Sequence, residues 1–160
     1  MYQQHIAYYG SEIGMLQISG TEEGISSVCF VDDPKPRVVQ VHQCLQSCVA
    51  QLGEYFGGKR REFSIPLLLT GTSFEKQVWQ ALRTIPYGQT RSYGDIARAV
   101  GHEKAARAVG NANRRNRFAV IIPCHRVIGS DGSLTGYASG IWRKEWLLNH
   151  ERGLIPGVGR

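Results

Sequence analysis

The chain is predicted to be α/β in the α+β sense: a small antiparallel sheet with one helix, then a helical unit of the helix-turn-helix kind. Three observations predict this. Short β-branched and aromatic runs punctuated by glycine fill residues 1–31, the apolar period then changes to that of a helix, and two capping signals follow a proline-containing linker.

Each element follows in order. Ile6–Tyr9, Met15–Ser19 and Ile25–Val31 read as strands separated by Gly10-Ser11-Glu12-Ile13-Gly14 and Gly20-Thr21-Glu22-Glu23-Gly24, the pattern of an antiparallel meander. Val41, Leu45, Cys48, Leu52 and Tyr55/Phe56 recur at helical spacing, so a helix over 36–56 packs one face on that sheet until Gly57-Gly58 ends it. Residues 1–66 form this scaffold unit, and a linker with the breaker Pro66 runs over 60–71. Thr72 with Glu75 predicts a helix over 73–84, with Phe74, Val78, Leu82 and Ile85 as its apolar stripe. Ser92 with Asp95 opens a second helix through Ile96, Ala97 and Val100, closed by Gly101. Lys104–Asn113 is a third, built from the small residues Ala105, Ala106, Ala108, Gly110 and Ala112 with Arg107 protruding. Phe118–Ile122 is apolar and β-branched and reads as a buried strand, which Pro123 stops because it cannot donate to a central ladder. A glycine-rich segment from Gly129 to Gly140 suggests a mobile rim around a pocket, and Trp142–Asn149 a last helix. The second unit spans 72–153, and Leu154–Arg160 is expected to be a disordered tail.

The charge is unevenly shared. Residues 1–66 hold five Lys/Arg against seven acids, net −2, so the chain's net +6 leaves +8 on residues 67–160. Arg83, Arg91, Arg98, Lys104, Arg107, Arg114, Arg115 and Arg117 share one stretch with only Asp95 and Glu103. Such a stripe reads either as a phosphate-backbone footprint or as a solvated basic face. Three short helices with tight turns suit a helix-turn-helix. Ala105 and Ala106 let the third helix approach a groove wall, and Arg107 is long enough to fill space left in a duplex. The alternative is a helix whose alanines pack in a core while Arg107 caps a carbonyl. The apolar runs are too short to span a bilayer, and four cysteines without a secretory leader suggest a soluble protein of a reducing cytoplasm.

Cys124 is the residue that most constrains the chemistry. It follows Pro123 at the expected strand end, with His125 and Arg126 beside it, and an imidazole next door is suited to hold a thiol near its thiolate form. Cys29, Cys44 and Cys48 have no cationic neighbour in sequence and read as packing residues. His42, Cys44 and Cys48 do not make a metal set, because neither a Cys-x-x-Cys pair nor a second histidine completes one.

The segments Pro86-Tyr87-Gly88-Gln89-Thr90-Arg91-Ser92-Tyr93-Gly94, Ala105-Ala106-Arg107-Ala108-Val109-Gly110, Pro123-Cys124-His125-Arg126-Val127-Ile128-Gly129, Gly136-Tyr137-Ala138 and Lys144-Glu145-Trp146-Leu147-Leu148-Asn149-His150-Glu151 resemble the O6-alkylguanine-DNA alkyltransferases in order and spacing. The resemblance is strong over residues 72–152. Over 1–66 it is an agreement of layout with that family's N-terminal ribonuclease-H-like domain, and the second unit matches its winged-helix/helix-turn-helix-like domain. It implies direct-reversal repair, in which an O6-alkylated guanine, or alternatively an O4-alkylated thymine, is flipped out of double-stranded DNA and its alkyl group moves irreversibly to the protein's own cysteine. No cofactor is implied, and a monomer is expected.

By resemblance, Cys124 is the alkyl acceptor, His125 the base that deprotonates it through a water, and Glu151 the carboxylate that orients the histidine. Side chains of neighbouring strand residues point opposite ways, which agrees with a bridging water. Tyr93 matches the residue that assists flipping and the leaving guanine, and Arg107 the finger that replaces the extruded base. Asn116 matches the brace between recognition helix and active-site strand, and Tyr137 and Ala138 with Ser139 and Lys144 match the base pocket. A tyrosine at 93 or 137 reads equally as a core aromatic. Arg117 departs from the usual proline, Ser139 from the usual glycine, and Arg114 and Arg115 add charge that favours stronger, salt-dependent DNA binding. His5, Thr21 and Ser26 do not match the zinc ligands of some members, so no metal is expected. Two other classes remain: a lesion-sensing or regulatory DNA-binding protein without chemistry, which has no need of Cys124, His125 and Glu151 together, and a thiol hydrolase, which has no use for the helix bearing Arg107.

Overall fold

The computed structural model describes residues 2–32 and 40–155; the expected helix residues 36–39 and tail residues 156–160 lie outside the described residues. The chain divides into two compact units, Met1–Leu69 and Thr70–Ile155.

In the first unit, β1 (His5–Ser11), β2 (Gly14–Thr21) and β3 (Gly24–Val31) form an antiparallel meander in the order β1-β2-β3, as the alternating runs predict. His5 lies opposite Gly20 and Tyr8 opposite Gln17, and the β2–β3 register shifts at Ser19/Gly20. One face is covered by α1 (Gln43–Phe56), whose Leu45, Cys48, Leu52, Tyr55 and Phe56 are buried with Ala7, Leu16, Ile18 and Val28. Each such leucine or isoleucine contributes about 1.5–3 kcal/mol relative to exposure. The helix starts at Gln43, not 36: the His42 ring takes the N-cap and accepts the Cys44 N–H. Pro66–Leu68 lies beside β3, with Ile25 N–H donating to Pro66 O (2.9 Å) and Leu68 N–H to Ile25 O (2.7 Å). Gly24 permits this approach, because a Cβ there would stand 2.9 Å from Pro66 O.

The second unit opens with α2 (Ser73–Leu82) and α3 (Tyr93–Ala99), both begun by reciprocal capping boxes, Thr72 with Glu75 and Ser92 with Asp95. The third helix, α4, runs Ala106–Arg114 and not from Lys104, since Ala105 N–H bonds His102 O in a turn ahead of it. Trp79 of α2 donates its indole N–H to Ala112 O at 2.9 Å, tying α2 to α4 inside a core of Val78, Leu82, Ile96, Ala97 and Val109. β4 (Arg91–Ser92) pairs in parallel with β5 (Val127–Ile128), and α5 (Ile141–Glu151) closes the unit, two residues longer at its C-terminal end than the apolar pattern marks.

Phe118–Ile122 is not a strand. All five residues are buried, but Val120 has φ 72°, and Ile121 and Ile122 bond back to Ala119 O and Phe118 O within the segment. The Asn116 amide takes the place of a ladder: it accepts from Phe118 N–H (2.9 Å) and donates to Ile122 O (2.9 Å) and Phe118 O (3.4 Å). Burial on every side removes the alternation that separates strand from compact turn, and the backbone needs only that its polar groups be satisfied. No described helix is long and apolar enough to cross a membrane.

Candidate active site

Cys124–Arg126 form a single 3₁₀ turn after Pro123, not the end of an extended strand. At three residues per turn, consecutive side chains diverge by about 120°. No direct Cys124–His125 bond forms, so the expected divergence holds although its cause differs.

The Cys124 thiol lies just beneath the surface, 7% exposed. The Asn113 amide donates to Cys124 O (3.3 Å). Burial pushes the Cys124 thiol above its usual range, opposed by the Asn116 amide and the Lys144 charge. At rest it is therefore protonated and needs a base.

His125, the next residue, is fully buried. Its Nε2–H donates to Glu151 Oε2 at 2.7 Å, which leaves Nδ1 deprotonated; buried Nδ1 bonds no protein atom. Burial lowers the His125 pKa and outweighs the Glu151 carboxylate that raises it, so the ring stays neutral at physiological pH. Burial alone would raise the Glu151 carboxyl, but His125 and Arg126 hold it well below the usual carboxylate range. Arg126 donates to both carboxylate oxygens (Nε to Oε1 2.8 Å, Nη2 to Oε2 3.0 Å) and to Ile85 O (2.7 Å). The Gly88 N–H also reaches Oε1, at 3.4 Å. An acid at a helix C-terminus is unfavourable, and these donors offset the macrodipole.

A second cluster borders the thiol. Lys144 is fully buried, donates to Thr135 O (2.7 Å) and lies 5.8 Å from the Tyr93 ring centroid. Burial lowers its pKa to about 8 against the pull of Cys124. The Tyr93 hydroxyl, at the first turn of α3, donates to the same Thr135 O at 2.9 Å. Gly136 (φ 71°) is required there, because a Cβ would stand 2.9 Å from the Tyr93 hydroxyl. Tyr137 is buried with its hydroxyl unpaired by protein atoms, and burial followed by the Cys124 charge raises its pKa well above the usual value. Ser139 O accepts from Arg143 (2.9 Å), and Ala138 beside it is exposed.

On the outer surface, Tyr93, Ala106, Arg107, Gly110, Arg114 and Gly136 line an open groove of about 390 Å³. Ala105 sits one residue ahead of α4, and Arg115 is turned to Glu75 of α2 at 3.1 Å. The structure thus gathers Arg107, Arg114 and Ala106 with Tyr93 but gives Arg115 a separate partner. Sequence reasoning gave no role to Arg126, Asn113 or Thr135. Arg126 was visible as a charge inside the Pro-Cys-His-Arg motif, whereas Asn113 acts by its buried amide and Thr135 through its carbonyl, which residue type does not reveal.

Residues 73–153 match the DNA-binding domain of 6-O-methylguanine DNA methyltransferase and residues 5–69 its ribonuclease-like domain. The chain belongs to this methyltransferase family. Similar relatives are methylated-DNA–protein-cysteine methyltransferases of Methanosarcina acetivorans, 46% identical over 152 residues (92% of this chain, 97% of that one), and Mycobacterium leprae, 47% identical over 152 residues (92% of each). The crystal structure of Mycobacterium tuberculosis O6-methylguanine methyltransferase superposes with TM-score 0.83 at 41% identity, covering 97% of this chain and 96% of that one. Mycobacterium tuberculosis OGT in complex with DNA gives 0.85 at 44% identity, covering 96% of each. The two-part layout of this methyltransferase, a small sheet with its helix followed by a helical unit, is the family's.

Proposed function

We propose that Cys124 accepts the alkyl group in direct-reversal repair of alkylated DNA, with His125 as its base. The chain is a methylated-DNA–protein-cysteine methyltransferase acting once per molecule on double-stranded DNA. The observation that supports the assignment is the buried His125–Glu151–Arg126 array beside a protonated thiol, with the lone pair of Nδ1 left free.

The base is extruded into the pocket of Tyr137, Ala138, Ser139 and Lys144, at a cost of a few kcal/mol. Arg107 enters the space it vacates, and Ala105 and Ala106 let α4 lie close to the groove. The thiol proton passes through water to His125 Nδ1, Glu151 balances the imidazolium, and Lys144 steadies the thiolate. Sulfur attacks the alkyl carbon of O6-alkylguanine in line, the S–C bond forms as the C–O bond breaks, and the electron pair leaves with guanine, which takes a proton through Tyr93. Asn116 holds the Phe118–Ile122 turn and the thiol in register, and Arg114 and Arg115 contact phosphates. The protein acts as a monomer in a reducing cytoplasm, which suits its free cysteines.

Intact-protein mass after incubation with a duplex carrying one O6-methylguanine tests this. One methyl group in place of a hydrogen, mapped to Cys124 and absent in Cys124→Ala, is expected. Unchanged mass with DNA binding retained would overturn transfer in favour of lesion sensing.

A further inference from the structure

We infer that His5, His42 and Cys44 form a surface site for one borderline-soft divalent metal ion, with Zn²⁺ as the chemically preferred occupant. The inference concerns the first unit and goes beyond alkyl transfer. One ligand atom from each of the three residues lies within 4.8 Å of the others, and all three residues are half-buried. The second histidine that α1 lacks in sequence comes from β1, where His5 begins the strand and stacks on His42 with ring centroids 3.5 Å apart.

The donor spacing matches the chemistry. Zn–N bonds of about 2.0–2.1 Å and a Zn–S bond of about 2.3 Å in a tetrahedron place donor atoms roughly 3.3–3.6 Å apart. His42 Nδ1 and Cys44 Sγ are already 3.1 Å apart. The Cys44 N–H donates to the same Nδ1, so Nδ1 is the unprotonated nitrogen of the neutral ring and carries its one in-plane lone pair. A metal held at Nδ1 takes over that lone pair and displaces the Cys44 N–H from it. Because the rings stack at 12°, their in-plane lone pairs run nearly parallel, and the His5 ring tilts by rotation of its side chain to converge on the ion.

The surroundings admit an ion and leave a coordination position open. His5, Gln40, His42 and Gln46 line an open cleft of about 570 Å³. Cys48, one turn along α1, is excluded because it is buried in the core, with its thiol pushed up to about 12. Two neutral imidazoles and one thiolate bind the ion as the Cys44 S–H bond breaks, the S–metal bond forms, and one proton goes to solvent. The fourth position is left to water. The bound ion ties the start of β1 to the N-terminus of α1.

Titration of chelator-treated full-length protein with Co²⁺ tests this through the near-ultraviolet thiolate-to-cobalt charge-transfer band. One equivalent is expected, displaced by Zn²⁺, with the band lost in Cys44→Ala and kept in Cys29→Ala and Cys124→Ala. His42→Ala and His5→Ala should weaken binding by about tenfold or more, since even groups behind the ligands act on that scale. Far-ultraviolet circular dichroism checks folding, and His5→Ala keeps the test decisive if an α1 variant fails to fold. No band with excess Co²⁺, or a band that survives Cys44→Ala and disappears in Cys124→Ala, would overturn the site.

Discussion

Glu151 serves two neighbours with one charge, fixing the His125 tautomer and neutralising buried Arg126. Glu151→Gln therefore does two things. It leaves Arg126 uncompensated, for which a loss of about 3–5 kcal/mol is expected in urea unfolding. It also removes the carboxylate that raises the His125 pKa, so the single-turnover transfer rate falls about 100-fold or more, the range of a general base. The pH profile of the wild-type protein follows from burial. His125 titrates below its ordinary 6.5, so the transfer rate stays flat as pH falls through 6.5 and drops only below it; an acid limb at or above 6.5 would sink the base assignment. Stability has the same sign. The unfolded chain takes up a proton on His125 below 6.5 that the folded chain refuses, so stability is lost as pH falls from there, and further as the depressed Glu151 is forced to protonate. Little of this array was legible from residue types. The Cys124-His125 pair was local and visible, whereas Glu151 came from family resemblance and Arg126 went unassigned, because a contact across 25 residues leaves no periodicity.

Elements whose signals are local were read correctly. The Thr72–Glu75 and Ser92–Asp95 boxes place helix starts at 73 and 93, and glycine-bounded alternation places the meander. Elements fixed by tertiary surroundings were not. Phe118–Ile122 has the composition of a strand but folds as a turn knotted by Asn116, and α1 begins only where the His42 ring caps it. The His5–His42–Cys44 cluster was hidden for the same reason, since a strand start and a helix start meet only in the fold. The two boxes also separate stability from function. Thr72→Ala and Ser92→Ala each should cost about 1 kcal/mol in urea unfolding. Only Ser92→Ala should also slow transfer, because α3 begins with Tyr93, whose hydroxyl is held at Thr135 O. Equal slowing by both variants in a single-turnover assay would mean that Tyr93 placement does not depend on the α3 cap.

Across the whole molecule, charge is divided as the sequence divides it: residues 1–66 carry −2 and residues 67–160 carry +8. Binding to a polyanion therefore belongs to the second unit and weakens steeply with salt, by a log–log slope of about 0.9 per phosphate neutralised. Where each cation points decides its share. Arg107 and Arg114 line the open groove with Tyr93, while Arg115 is turned to the Glu75 carboxylate. A contact from Arg115 to phosphate must first give up that ion pair, whereas a contact from Arg114 surrenders only a hydrogen bond to the neutral Asn111 side chain. Arg114→Ala is accordingly expected to reduce the salt slope for undamaged duplex by about 0.9, and Arg115→Ala by clearly less. Arg107→Ala should differ from both: with Arg107 proposed to fill the vacated stack, the variant is expected to lose more in transfer from a lesion-bearing duplex than in binding to an undamaged one. Fluorescence anisotropy across a salt series, run beside single-turnover transfer for the three variants, measures all of this. If the Arg107→Ala transfer rate fell only in proportion to its binding, Arg107 would be one more phosphate contact and the intercalating role would go to another residue of the groove.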